Sequence, residues 1–337
     1  MYETLGVCLA LAALLVINAL VSLLIAALWR VVARFADSWS AVTRAQTLFM
    51  LRTLPAAAAL SFVVLLLLPA YVVYEPRATS EKISLQLILL AVVSVICIVL
   101  AVWRGFACWY ATRRLVADWM RHAAPVRLAN VSLPVYRIRH QFPVLAVVGA
   151  LRPRLFIASQ LFDSLSDAEL AAALAHERGH LYARDNLKRV VMRVCRDMLA
   201  IVPCGRGLDK AWKDASEAAA DERATQADSR NALELAAALV KIARLAPLGA
   251  QAIMPVGAFL LGDEHGSVTW RVRRLVQLAA IPAGALQQTE RDLSRLAAWS
   301  WRGSLCGLFF ALISITAHPQ TLASIHTLTE RIVAALR

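Results

Sequence analysis

Residues 170–190 read LAAALAHERGHLYARDNLKRV and contain an HExxH sequence. His176 and His180 are four positions apart, so on a helix they lie on one face and can reach one metal ion together. Glu177 lies one position further round, beside the coordination site that two imidazoles leave open. Two imidazoles and a neighbouring carboxylate are the groups that zinc-dependent hydrolysis requires. The stretch therefore predicts a helix with a zinc site; the alternative is two surface histidines that flank an ordinary glutamate.

The sequence before this stretch predicts where the helix begins and what precedes it. Ser166 is a good N-cap residue, and Glu169 three positions later completes a capping box. Residues 131–158 are rich in Val, Ile and aromatic residues and are interrupted by Pro and Gly, which favours short strands. We expect these strands at about 133–138, 144–149 and 154–158. An extended peptide can add to the edge of such a sheet, and we expect strand 144–149 to offer that edge.

The composition indicates a membrane protein. Of the 337 residues, 59% are hydrophobic, a larger share than in soluble proteins of this length. The net charge of +13 fits cytoplasmic loops and contact with anionic headgroups. No aromatic–basic platform or reader motif indicates nucleic-acid binding. The six cysteines form no C-x-x-C pair, so we expect neither a disulfide framework nor a thiolate metal site.

Three apolar runs, at about 7–28, 54–74 and 83–103, are long enough to cross a bilayer as helices. A shorter fourth run, at about 300–318, becomes long enough if the tryptophans beside it lie at the membrane interface. Arginines follow the first and third runs in excess, whereas the charges after the second run balance. The positive-inside rule then places the N-terminus outside and the segment between the third and fourth runs in the cytoplasm.

A catalytic zinc ion commonly has three protein ligands, so a third must come from elsewhere in the chain. The downstream candidates are Asp185, Asp197, Asp214, Glu217, Asp221, Glu222 and His265. Glu217 is favoured because it shares a helix face with Asp221, and the three alanines between them let that face approach another helix. Asp221 would then accept a hydrogen bond from the free ring nitrogen of one ligand histidine. The alternative is a solvated acidic helix face.

Peptide hydrolysis at such a site needs a base and a donor for the developing oxyanion. Glu177 can take a proton from the attacking water and deliver it to the leaving amine. A donor for the oxyanion can come from His265, Arg271 or Arg184. His265 ranks first because an imidazole can donate near neutral pH, although a lone loop histidine is more often structural or exposed.

The order of these features resembles the membrane-embedded zinc peptidase domain of the β-lactam sensor–transducers, peptidase family M56. The stretches that carry the resemblance are VLAVVGALRPRLFIAS, LSDAELAAALAHERGHLYARDNLKR, EAAADE and VTWRVRRL, with apolar runs before and after them. The resemblance implies His176, His180 and Glu217 as zinc ligands and Glu177 as the catalytic residue. It also implies a location in the bacterial inner membrane. The related family M48, which includes membrane quality-control and prenyl-protein proteases, shares the HExxH and the later ExxxD.

The expected fold is a multi-pass α-helical membrane protein with a cytoplasmic, mainly α-helical, zincin-like metallopeptidase domain that contains a small β-sheet. We divide the chain into a membrane domain (1–105), the peptidase domain (106–300) and a fourth span with a short tail (301–337). The antibiotic sensors continue into an extracellular penicillin-binding domain, whereas about 20 residues follow the last predicted span here, so we expect no such sensor.

The expected function is that of a membrane-bound zinc endopeptidase that cleaves a cytoplasmic or membrane-proximal protein, with a transcriptional repressor as one candidate substrate. Two alternatives stay open. One is an M48-type protease of membrane protein quality control, and the other is a non-catalytic membrane signalling or scaffold protein with a structural metal site. The expected partners are a protein or peptide substrate and the lipid bilayer. The sequence does not indicate the oligomeric state.

Overall fold

Long apolar helices form the N-terminal part of the fold. The computed structural model of the protein describes residues 2–36, 39–77, 83–128, 133–199, 206–226, 230–246, 265–280, 314 and 318–335. The first helices are α1 (Tyr2–Ala36), α2 (Ala41–Phe62), which continues through a π-helical turn (Val63–Leu67) into α3 (Leu68–Tyr74), and α4 (Leu85–Met120). Helix α1, the continuous helix Ala41–Tyr74 and α4 are each long and apolar enough to cross a membrane. The three predicted spans are therefore confirmed as candidate membrane helices, whereas the fourth, 300–318, lies outside the described residues apart from 314 and 318.

Local sequence signals explain where these helices begin and where one of them widens. The hydroxyl of Ser40 accepts a hydrogen bond from the N–H of Thr43 at the start of α2. Ser84 accepts one from the N–H of Leu87 at the start of α4 in the same way. The π-helical turn lies just before Pro69, which has no N–H and therefore interrupts the regular α-helical hydrogen bonding.

Among the described residues, four short strands form one sheet in the order β1-β2-β4-β3. They are β1 (Ala124–Val126), β2 (Val135–Ile138), β3 (Leu145–Val148) and β4 (Arg154–Ala158). Strand β4 pairs parallel with β2 and antiparallel with β3, which lies at the edge of the sheet. The three predicted strands are confirmed, including the position of β3 at an edge. Strand β1 is additional, because three residues that include Pro125 give no strand pattern in the sequence.

The remaining helices pack around this sheet and against the membrane helices. They are α5 (Ser159–Ser164), α6 (Asp167–Ala183), α7 (Asp185–Asp197), α8 (Arg206–Thr225), α9 (Arg230–Leu245), α10 (His265–Ala279) and α11 (Pro319–Ala335). The sheet, α6, α9 and α10 share one buried core, which includes Phe156, Leu235 and Leu275. Each such side chain contributes roughly 1.5–3 kcal/mol through burial. Trp119 of α4 packs edge-on against Phe156 at 5.1 Å between ring centroids, so this membrane helix extends into the core.

Helix α6 begins and ends at identifiable signals. The predicted capping box is confirmed: Ser166 accepts a hydrogen bond from the N–H of Glu169, whose carboxylate accepts one from the N–H of Ser166. The helix ends at Arg184, whose φ of 54° is in the left-handed region. Helix α7 begins at the next residue, Asp185, so the two helices meet at a sharp turn of one residue.

Ion pairs join this domain to one end of the membrane helices. Arg52 of α2 binds Asp209 of α8 (Nε–Oδ1, 2.9 Å), and Arg104 of α4 binds Asp197 at the end of α7 (Nη1–Oδ1, 3.3 Å). Arg196 contacts both aspartates. Helix α4 runs without a break past residue 105, the predicted boundary between the membrane domain and the peptidase domain.

Helix α11 lies at the other end of the membrane helices. The Tyr74 hydroxyl at the end of α3 donates a hydrogen bond to the carbonyl of Pro319 (3.0 Å). Val333 of α11 is buried in a cluster with Leu5 of α1 and Leu87 of α4, both of which lie near the N-termini of their helices. The chain therefore returns to the N-terminal end of α1 by Pro319.

Candidate metal centre

The structure brings three of the predicted side chains together at one point. His176 and His180 project from one face of α6, and their Nε2 atoms are 3.2 Å apart. Glu217 of α8 places Oε2 3.6 Å from Nε2 of His176 and Oε1 3.6 Å from Nε2 of His180. All three side chains are buried or half-buried.

These distances match the spacing of donor atoms around a tetrahedral zinc ion. Zinc bonds to imidazole nitrogen and carboxylate oxygen are about 2.0–2.2 Å long, which puts neighbouring donors roughly 3.3–3.5 Å apart. The two histidines and Glu217 would hold the ion and leave a fourth position for water or substrate. The donor set therefore fits a catalytic zinc site.

Each histidine is oriented by a carboxylate on its other ring nitrogen. Nδ1 of His176 lies 2.8 Å from Oδ1 of Asp221, and Nδ1 of His180 lies 2.7 Å from Oδ2 of Asp185. An Nδ1–H that donates to a carboxylate leaves Nε2 with its lone pair free for a metal. Asp221 therefore lies beside a ligand histidine, as the sequence predicts, whereas the sequence suggests Asp185 only as a third ligand.

The left-handed turn at Arg184 explains the position of Asp185. This aspartate follows His180 by five residues, which is not a spacing that brings side chains together on a regular helix. Because the chain reverses at Arg184, Asp185 at the start of α7 points back towards the end of α6. In the sequence, the only sign of this contact is an aspartate five positions after a histidine.

Arg271 of α10 is buried beside the candidate metal ligands. Its Nη2 binds Oδ1 of Asp221 at 2.6 Å, and its Nη1 binds Oε2 of Glu217 at 3.1 Å. Burial disfavours the charged guanidinium, but the two carboxylates outweigh burial and raise the pKa of Arg271. The sequence suggests Arg271 only as a donor for the oxyanion, whereas the structure pairs it with Asp221 and Glu217.

The ionisation states of the other groups follow from burial and neighbouring charge. Burial alone would lower the pKa of His180, but Glu217 and Asp185 outweigh it and raise that pKa to about 10. Burial would raise the pKa of Glu217, but His180, His176 and Arg271 hold it well below its usual range. For Glu177, burial is the largest effect and raises the pKa above its usual value. A carboxyl group with a raised pKa suits proton transfer near neutral pH.

Glu177 lies between the histidines and the edge of the sheet. Its Oε2 accepts a hydrogen bond from the N–H of Val147 in β3 (3.3 Å). Asn186 of α7 donates to the carbonyls of Val147 (2.9 Å) and Gly149 (3.3 Å). An open cleft runs along this edge and reaches Glu177 and His180. No local sequence pattern points to Asn186, because its partners are backbone groups some 40 residues away.

The remaining predicted candidates either contact other side chains or lie outside the described residues. His265 is the first residue of α10, and its side chain lies outside the described residues. Arg184 lines the open cleft. Asp197 pairs with Arg104, and Glu222 pairs with Arg274, so neither joins His176 and His180.

The site consists of an HExxH pair on one helix and a glutamate from a second helix, and the same chain has apolar helices long enough to cross a membrane. These features define the class of membrane-associated metallopeptidases. The sequence model of peptidase family M48 matches residues 134–331, which is more than half of the chain. The protein therefore belongs to peptidase family M48, whose members are zinc metalloproteases. No curated protein matches the sequence at a significant level. The prediction of a zinc metallopeptidase family is confirmed, while the narrower assignment to the related family M56 stays a prediction.

Proposed function

We propose that this protein is a membrane-bound zinc endopeptidase that cleaves cytoplasmic or membrane-proximal protein segments. The observation that carries the proposal is the spacing of 3.2–3.6 Å among the donor atoms of His176, His180 and Glu217, with Glu177 beside them. The carboxylates on both Nδ1 atoms support it, because a surface pair of histidines has no need of them.

The proposed chemistry divides between the metal and the chain. Zinc, when bound, supplies a water of lowered pKa and polarises the scissile carbonyl. Glu177 accepts the proton of the attacking water and donates it to the leaving amine. Asp221 and Asp185 keep the two imidazoles in the tautomer that leaves each Nε2 free. Burial of the centre excludes bulk water and strengthens each of these interactions.

The proposed substrate is an extended segment of polypeptide that lies along β3. Strand β3 is at the edge of the sheet, and the N–H of Val147 points to the carboxylate of Glu177. Pairing through backbone groups tolerates many sequences, as a protease with many substrates requires. The side chain of Asn186 donates to the carbonyls of Val147 and Gly149, so it must release them when a peptide pairs there.

Membership of family M48 supports a role in membrane protein quality control as well as it supports cleavage of a single repressor. Both roles use the same chemistry and differ in the number of substrates. Comparing the proteins of cells that express the wild type or Glu177→Gln would separate them. Many accumulating membrane proteins would indicate quality control, and one accumulating DNA-binding protein would indicate the regulatory role.

The proposal is tested on purified full-length protein in detergent. We expect about one zinc ion at the HExxH centre and cleavage of an unfolded protein such as casein. Glu177→Gln should abolish cleavage and keep this zinc, while Glu234→Gln on α9 serves as the matched control with wild-type activity. Correctly folded wild type that contains no zinc would overturn the enzyme proposal. Zinc without any dependence of cleavage on Glu177 would favour the non-catalytic scaffold instead.

We also propose that the catalytic centre faces the cytoplasm of a bacterial inner membrane. The excess of arginine after the first and third spans supports this orientation. A topology reporter fused near residue 78 should report an outside location, and one fused near residue 125 an inside location. The reverse pattern would place the centre on the outer face.

A further inference from the structure

We propose a second metal-binding site, formed by Glu75, His326 and Glu330, that takes a divalent transition-metal ion such as Zn²⁺. One ligand atom from each residue lies within 4.8 Å of the other two. Glu75 follows directly after α3, and the other two residues lie on α11. This proposal does not depend on the proposed peptidase function.

The second site lies far from the HExxH centre. Ala41, at the start of α2, packs with Ala218 and Ala219, which follow the candidate ligand Glu217. Glu75 follows the other end of the same continuous helix, which has 34 residues. At a rise of about 1.5 Å per residue, that helix separates the two sites by about 50 Å.

The construction of the second site repeats that of the first. His326 and Glu330 are four positions apart on α11, so they lie on one face of the helix. His176 and His180 share a face of α6 in the same way. In both sites a glutamate from elsewhere in the chain supplies the third group: Glu217 of α8 in the first site, and Glu75 directly after α3 in the second.

The groups of the second site are already held in place. The Glu75 side chain is only 3% exposed, and its Oε2 lies 3.8 Å from Nδ1 of His326. The Tyr74 ring stacks on the His326 ring with centroids 5.9 Å apart. The same tyrosine donates its hydroxyl hydrogen to the carbonyl of Pro319, and Val333 is buried against the membrane helices. These contacts fix α11 beside α3 with the imidazole facing the carboxylate.

The donor set selects the class of ion. Calcium and magnesium take oxygen ligands, whereas an imidazole with two carboxylates suits zinc or manganese. Zinc needs its donors about 3.3–3.5 Å apart, so side-chain adjustments of about 1 Å complete the site. A bound ion would tie α11 to α3 and stabilise the C-terminal helix.

The test measures zinc in full-length protein purified in detergent, stripped with a chelator and dialysed against Zn²⁺ alone. We expect two zinc ions per chain in the wild type and one in the double variant His176→Gln/His180→Gln. Adding His326→Gln and Glu330→Gln to that double variant should remove the remaining zinc. His318→Gln, which changes an exposed histidine directly before α11, is the matched control and should keep the remaining zinc.

Two further readouts keep the proposal testable if a variant does not fold. His326→Gln/Glu330→Gln in the otherwise unchanged protein should lower the zinc content from two ions to one. Zinc should also raise the Tm of His176→Gln/His180→Gln and leave the Tm of the fourfold variant unchanged. A single zinc in the wild type that disappears with His176→Gln/His180→Gln would overturn the second site and leave the catalytic site standing. Zinc retained in the folded fourfold variant would also overturn it.

Discussion

Gly179 of α6 and Ala220 of α8 are in direct backbone contact: a Cβ added to Gly179 would lie 3.1 Å from the Cα of Ala220. Because Gly179 lies beside His180 and Ala220 lies beside Asp221, this contact sets the separation of the two helices that supply the metal ligands. The alanines at 218–220, which suggested a close approach from the sequence, lie at this crossing.

Gly179→Ala should therefore weaken zinc binding without unfolding the protein. The backbone of Ala220 cannot rotate away, so the helices must separate by a few tenths of an ångström, and Glu217 moves from the histidines. Gly179→Val should have a larger effect. Gly207→Ala is the matched control, since a Cβ there meets no atom within 4 Å. A competition titration with a zinc chelator measures the affinities, and equal affinities for Gly179→Ala and Gly207→Ala would contradict the prediction.

Asp185 has a measurable role if it orients His180 through the 2.7 Å contact with Nδ1. Asp185→Asn removes the charge that fixes the imidazole tautomer, and such changes typically cost about 10–100-fold in metal affinity. We expect a similar loss for Asp221→Asn on His176. Asp163→Asn, an exposed aspartate on α5, is the control and should bind zinc as the wild type does. Wild-type affinity in Asp185→Asn would show that the contact has no orienting effect.

Periodicity explains which parts of the centre could be predicted. His176 with His180, and Glu217 with Asp221, are pairs four apart on helices, so local sequence is enough to place each pair on one face. The membrane helices are predictable from a different property, the length of the apolar runs. The strands of the sheet follow from runs of β-branched residues bounded by Pro and Gly.

The unpredicted contacts depend on turns and on long separations in the chain. Asp185 approaches His180 because of the left-handed residue between their helices. The spacing of residues on a regular helix does not predict such a turn. Arg271 meets Asp221 across 50 positions, and Asn186 meets Val147 across 39. Such contacts are set by the packing of whole helices against the sheet, which local sequence patterns do not specify.

Arg271 should stabilise the centre mainly when no metal is bound. It is buried between Asp221 and Glu217, and removing one partner of a buried ion pair costs about 3–5 kcal/mol. Zinc supplies positive charge to the same carboxylates, so it should compensate in part. We expect Arg271→Gln to lower the Tm of the metal-free protein more than the Tm of the zinc-loaded protein, as measured by differential scanning fluorimetry. An equal fall in the Tm of both forms would show that Arg271 stabilises the protein to the same extent with and without zinc.

The stability of the metal-free protein should depend on pH through His180. Its pKa in the folded protein is raised to about 10, against about 6.5 in an unfolded chain, because Glu217 and Asp185 outweigh burial. A raised pKa stabilises the fold fully below about pH 6.5, and this contribution is lost as the pH rises towards about 10. We expect the Tm of the metal-free protein to fall across this range. His180→Gln should flatten the profile, whereas the exposed control His318→Gln should keep the wild-type slope.

Zinc binding should release a proton for the same reason. Between pH 7 and 8, His180 in the metal-free protein is protonated, yet a metal requires the lone pair of its Nε2. Calorimetric titrations with zinc in two buffers of different ionisation enthalpy measure the protons released per ion. We expect at least about one proton in the wild type, and fewer in Asp185→Asn, whose His180 loses one of the carboxylates that raise its pKa. Binding heats that do not depend on the buffer would show that His180 is already neutral and that the carboxylates serve only to orient it.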